Sequence, residues 1–160
     1  SMGYAIAPQD VLPYQGGGSL YKQHLLQYLV DSGQTDAVFG TLFHTAFEHG
    51  GPCARSIHYP DARAAVAAIR EAGGYAVLAH AGQQQNFELI PDLVAAGLAG
   101  LELNHPANSA ADRALLTQAA AQYGLFCTGG SDFHGAYEAG RDTLGEFLAP
   151  ADCPLPALCP

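Results

Sequence analysis

Positive charge is scarce in this chain. Six Lys and Arg stand against 15 Asp and Glu over 160 residues, a formal net charge of −9. Nucleic acid and anionic membranes are held by clustered Lys and Arg, so neither is an expected partner. Long apolar runs are missing too. No stretch of about 18 apolar residues occurs, which excludes a spanning helix. Residues 1–12 have neither a charged start nor an apolar core. No signal peptide is therefore expected, and the expected location is cytoplasmic. Cysteine is sparse: Cys53, Cys127, Cys153 and Cys159 form no CxxC pair and are too few for a disulfide scaffold. Reduced, partly buried thiols are the plain reading, with a Cys153–Cys159 bridge as the alternative. The length allows one domain with a real core but falls short of a closed eight-stranded barrel, which needs about 250 residues.

Histidine is abundant by contrast. Seven outnumber the Lys and Arg together. An acidic chain that handles an anion needs a local source of positive charge, and a metal ion is the obvious candidate.

Residues 1–18, with Pro8, Pro13 and the run Gly16-Gly17-Gly18, read as an irregular lead-in. Residues 19–55 read as a small helical subdomain. Leu20, His24, Leu25, Tyr28 and Leu29 recur at helical spacing after a candidate cap at Ser19. Val38, Leu42, Phe43, Ala46 and Phe47 mark a second helix. Residues 56–148 change character. Ser56–Tyr59 is a short extended link, and Pro60-Asp61 opens a helix whose predicted apolar face is Ala64, Ala65, Ala68 and Ile69. Short apolar runs then alternate with helices: Tyr75–His80, Glu88–Ala96, Gly100–Asn104, Ala110–Gln122 and Leu125–Thr128. That alternation predicts about three βα units in a parallel sheet with strands buried on both faces. Leu144–Leu148 is a candidate last strand. Residues 149–160 hold four of the ten prolines and read as an irregular tail.

Each of three successive strands delivers a histidine at its C-terminal end: His80, His105 and His134. That edge is where βα architectures gather ligands and catalytic groups. A single histidine there is most often structural, but three at equivalent positions point to a common purpose. Asp132 stands two residues before His134. On an extended backbone both side chains converge on one point, a pairing that suits Zn²⁺, Mn²⁺ or Fe²⁺. Asp132 as a turn residue is the plainer alternative. Gly129-Gly130 lets the backbone approach a ligand. Ser131 is placed to donate to a phosphate or to support a ligand. Glu102 either accepts a hydrogen bond inside the barrel or pairs with an arginine. The polar loop from Gln83 to Asn86 is placed to line a site. His24, His44, His49 and His58 fit no metal spacing and read as surface or capping residues, with a substrate contact from His24 or His58 as the alternative.

Three stretches, VLAHAG at Val77–Gly82, GLELNHP at Gly100–Pro106 and TGGSDFHG at Thr128–Gly135, resemble the PHP (polymerase and histidinol phosphatase) domain of stand-alone bacterial metal-dependent phosphoesterases. Their counterparts there read VLAHPG, GIEVYHP and GGSDFHG. The helices of Gly18–Gly50 resemble the insertion that such enzymes carry. The resemblance implies a distorted seven-stranded (β/α) barrel, two or three divalent metals, and hydrolysis of phosphate esters by metal-activated water. It makes His80, Asp132 and His134 metal ligands and sets His105 near metal and phosphate as a catalytic candidate. Gln83, Gly130 and Ser131 become candidate phosphate contacts, although Gln83 stands where many relatives have Arg and Ala81 replaces the usual Pro. The family's His-x-His strand and its further Asp, His and Glu ligands do not occur here. The resemblance therefore implies the C-terminal part of a PHP barrel, a partial metal site, and weak or no activity by itself. An exposed sheet edge follows, expected to be covered by the N-terminal segment, the tail or a second copy in a homo-oligomer. The expected substrate is a small phosphorylated molecule. Two other readings stay open: a non-catalytic interaction or regulatory module derived from the fold, and a metal-dependent hydrolase of another ester or amide.

Overall fold

A computed structural model of the chain describes residues 2–48, 50–138 and 144–151. His49, Cys153, Cys159 and most of the proline-rich tail lie outside them. The chain divides into two compact units, one of residues 1–57 with 134–139 and one of residues 58–133 with 140–160.

The first unit is helical. The lead-in is not irregular throughout: α1 spans Pro8–Val11 and a 3₁₀ turn follows over Leu12–Gln15. Pro8 is at the first turn of α1, where its fixed φ helps and its missing N–H costs nothing. Asp10 accepts the Ala7 N–H at 2.8 Å and closes the start. Helix α2 covers Lys22–Asp31. Its cap is not Ser19: the His24 ring, through Nδ1, takes the Tyr21 N–H at 3.1 Å, so His24 does the capping itself. Helix α3, Thr41–Ala46, completes a core of Leu26, Leu29, Val38, Leu42 and Ala46. Phe39, Phe43, Phe47 and Tyr137 pack around it.

The second unit carries the sheet. Helix α4, Ala62–Glu71, starts at Asp61, whose carboxylate accepts the Arg63 and Ala64 N–H groups. The predicted apolar face is mostly exposed, and Val66 enters the core instead. Alanine periodicity defines a face weakly, so the one branched residue sets the rotation. The Asp61 carboxyl lies below its ordinary pKa, chiefly through the Arg63 side chain and next through the Ala64 N–H. A carboxyl depressed in the folded state supports the fold above its unfolded pKa, near 3.9, and loses that support as pH falls through the folded value. In Asp61→Asn, which still caps, the acid-induced fraying of α4 is expected to lose this component. Helical circular dichroism followed from pH 6 to pH 2 measures it.

Strand β1 is only Val77–Leu78, β2 is Gly100–Asn104 and β3 is Phe126–Gly129. They pair in parallel in the order β1-β2-β3, with Leu78 beside Leu101 and Leu101 beside Cys127. Between β1 and β2 run α5 (Ala81–Gln84), a 3₁₀ turn (Phe87–Leu89) and α6 (Ile90–Ala96); α7 (Ala110–Tyr123) joins β2 to β3. Helix α7 is fully signalled locally: Ser109 caps the Asp112 N–H, Asp112 returns to the Ser109 N–H, and Gly124 ends it at φ 67°. Val66, Ile90, Leu93, Leu101, Leu116 and Leu125 make the core. Burial on both strand faces holds only in part. Val77 on the edge strand is 36% exposed, and Tyr75 before it is 48% exposed. Residues 144–148 form turns and bends, not a strand. The backbone of Phe147 and Leu148 packs so closely on Gly129 that a Cβ there would come within 2.5 Å of it. The Leu148 carbonyl accepts from Asn104 Nδ2 at 2.8 Å, so a side chain occupies the place of a ladder bond. Cys53 is an exposed free thiol, and Cys127 is buried.

Candidate functional site

Three parallel strands end on one edge of the sheet, and the residues just past those ends are His80, His105 and the run Gly130–Asp132. Their backbone is unusual. His80 sits at φ 36° and Asp132 at φ 50°, two of the three described non-glycine residues at positive φ, the third being Gln85. The left-handed region costs an ordinary residue about 1–2 kcal/mol, so surrounding contacts hold these two in place.

For His80 the contact is visible. Its N–H donates to Glu102 Oε2 at 2.7 Å. Glu102 thus serves as an acceptor, one of its two expected roles, and among the described residues no Lys or Arg pairs with it. His80 Nδ1 is buried and has no hydrogen-bond partner among the described residues. The His80 and His105 rings stand edge to face with centroids 5.6 Å apart.

His105 is 2% exposed. Its Nδ1 accepts the Ala107 N–H at 3.1 Å, so in the neutral ring the proton lies on Nε2. That Nε2 faces Asp132 Oδ2 at 3.9 Å. His105 thus presents an N–H to the site, not a lone pair for a metal. The register irregularity between Glu102 and Asn104 sets this direction, since a bulge re-aims the residues beyond it. Ser131 is buried, and its hydroxyl accepts the Gly145 N–H at 3.1 Å. Gln83 is exposed on α5.

The expected convergence of Asp132 and His134 rested on an extended backbone, and the backbone is not extended there. Asp132 turns into the left-handed region. His134 belongs to the first unit, where its ring stands edge-on to Phe39 at 5.9 Å. Among the described residues no group of three or more His, Cys, Asp or Glu is arranged to hold a metal ion. His80 and Asp132 belong to the second unit, and His134 is described within the first. The fit to a divalent metal is partial: His80 Nδ1 is buried without a hydrogen-bond partner, and no complete donor set occurs among the described residues.

Sequence reasoning missed Asn108. It is 1% exposed and ties this edge together. Its Oδ1 accepts the Gly82 N–H at 3.0 Å, and its Nδ2 donates to the Glu102 and Leu103 carbonyls at 3.0 and 3.1 Å. Asn108 precedes the Ser109 cap by one residue, a position that reads locally as a loop asparagine.

A phosphoribosyl 1,2-cyclic phosphate 1,2-diphosphodiesterase from Eggerthella lenta is 47% identical over 132 residues, 82% of this chain and 50% of its own length. The chain is similar to phosphoesterases. A 3′,5′-nucleoside bisphosphate phosphatase from Chromobacterium violaceum is 35% identical over 126 residues, 76% of this chain and 44% of its own. Among solved structures, a protein from Bifidobacterium adolescentis given as a metal-dependent phosphoesterase superposes with a TM-score of 0.81 at 31% identity, covering 94% of this chain and 55% of that one. An amidohydrolase from Chromobacterium violaceum, with bound sulfate and no metal, gives 0.67 at 28% identity over 94% of this chain and 60% of that one. The chain spans about half the length of the curated relatives it matches. No family model matches it. Among the described residues no helix is long and apolar enough to cross a membrane.

Proposed function

We propose that these residues are the C-terminal part of a PHP-type, metal-dependent phosphoesterase acting on a small phosphorylated molecule of the ribose phosphate or nucleotide class. One observation carries the reading: His80, His105 and Asp132 lie together past the C-terminal ends of a parallel sheet, two of them in left-handed backbone. The substrate class follows the names of the two curated relatives.

In this reading His80 Nδ1 and the Asp132 carboxylate contribute to a site for Zn²⁺, Mn²⁺ or Fe²⁺, and His134 enters the ligand set on the family resemblance alone. A divalent ion so held supplies Lewis acidity and lowers the pKa of bound water. The remaining ligands come from outside these residues. His105 is the catalytic candidate of the chain itself: its Nε2–H, which faces the Asp132 carboxylate, is the donor that would bond a phosphate oxygen and stabilise charge that develops there. Gly130 keeps the floor of the site free of a side chain. Ser131 and Gln83 are the further candidate phosphate contacts.

The test compares the whole protein with the 160-residue chain on a phosphomonoester, a ribose 1,2-cyclic phosphate, a 3′,5′-nucleoside bisphosphate and an amide, each with Mn²⁺ or Zn²⁺. The whole protein is expected to cleave at least one phosphate ester, and the chain alone to be slower by roughly a hundredfold or more, as for a site missing ligands. Cleavage of the amide and of no phosphate ester would overturn the proposal. It would favour the second reading, an amide hydrolase, which the similarity to the Chromobacterium violaceum amidohydrolase supports.

A further inference from the structure

We propose that Glu102 is a positioning residue that holds His80 in its active backbone conformation; the catalytic part of this inference rests on the phosphoesterase reading above. Glu102 lies in the central strand, so its carboxylate can reach the ends of both neighbours. On one side Oε2 accepts the His80 N–H at 2.7 Å. On the other side Oε1 lies against Gly130, where an added Cβ would come within 2.6 Å of it. Gly130 is in turn bonded to the central strand, its N–H donating to the Asn104 carbonyl at 3.0 Å.

His80 needs such a hold. It follows a strand of two residues, takes φ 36°, and begins a helix of four residues. None of these short elements fixes the residue by itself. A carboxylate accepts strongly from a backbone N–H, and this one is half-buried and has no cation among the described residues to draw it away. The outcome is an imidazole whose Nδ1 is buried and kept without a competing partner. Glu102 acts through His80 and touches no substrate. Gly130 is the second half of the device, because a side chain there displaces the carboxylate.

The experiment measures amide hydrogen exchange at His80, and kcat and KM, in the whole protein. Glu102→Ala is expected to speed His80 exchange and to lower kcat by about tenfold to a hundredfold, the usual effect of losing an outer support. KM should stay within roughly threefold if substrate binding is separate from this support. Glu102→Gln, which keeps an acceptor oxygen of the same reach, should recover most of both. Gly130→Ala should speed His80 exchange as Glu102→Ala does, with Glu102 intact, which keeps the idea testable if Glu102→Ala folds poorly. Unchanged His80 exchange in Glu102→Ala or Gly130→Ala overturns the proposal. So does a Glu102→Gln protein as impaired as Glu102→Ala, since charge would then matter and not the bond. If the unaltered protein cleaves no phosphate ester, the functional reading fails, and the exchange result still decides the role of Glu102.

Discussion

Asp132→Ala is expected to lower phosphoesterase turnover of the whole protein about a thousandfold, a barrier increase of roughly 4 kcal/mol. The size follows from what Asp132 contributes. Its carboxylate faces the buried His105 Nε2 at 3.9 Å, and it reaches that point from a left-handed backbone. Removing it takes away a proposed metal ligand and the anion that faces the His105 N–H. Asp132→Asn keeps the shape and tolerates the same φ, so it isolates charge. It should be nearly as impaired. The accompanying measurement is Mn²⁺ or Zn²⁺ calorimetry, in which the double replacement of Asp132 and His134 by Ala should abolish binding by the 160-residue chain. Turnover of Asp132→Ala within about tenfold of the unaltered protein would place the chemistry elsewhere.

Asn108→Ala should cost about 3 kcal/mol of stability, the largest effect expected of a polar replacement in the second unit. The Gly82 N–H is buried at the start of α5, a position with no intrahelical acceptor, and Asn108 Oδ1 is what satisfies it. The two bonds from Nδ2 to the end of β2 are lost as well. Asn108→Asp keeps the acceptor but turns the donor toward carbonyl oxygens into another acceptor, so it should fall between the two. Urea unfolding measures both. A loss below about 1 kcal/mol in Asn108→Ala would mean that water replaces the side chain.

What could be read in advance divides by the range of the interactions. Helix α7 has its whole specification within its own residues, Ser109 and Asp112 at one end and Gly124 at the other, and the expected and observed limits nearly coincide. Helix α4 starts where Asp61 places it, yet its buried face was misjudged, because rotation depends on what Val66 meets in the core. Helix α1 went unrecognised: the prolines that suggested irregular chain are tolerated at a first turn. The strand expected at 144–148 is turns and bends instead, and Leu148 is held through the side chain of Asn104.

The sequence by itself determined the alternation of short apolar runs and helices, and with it a parallel sheet whose strands end in His80, His105 and the Gly-Gly-Ser-Asp run. Only the tertiary structure decided the rest. It turned His80 and Asp132 into left-handed backbone, set the proton of His105 on Nε2 through the Ala107 N–H, and made Glu102 and Asn108 the supports of that edge. Periodicity and spacing record local preference. The supports span 22 and 26 positions of chain between Glu102 and His80 and between Asn108 and Gly82, and no local pattern encodes a bond over that distance.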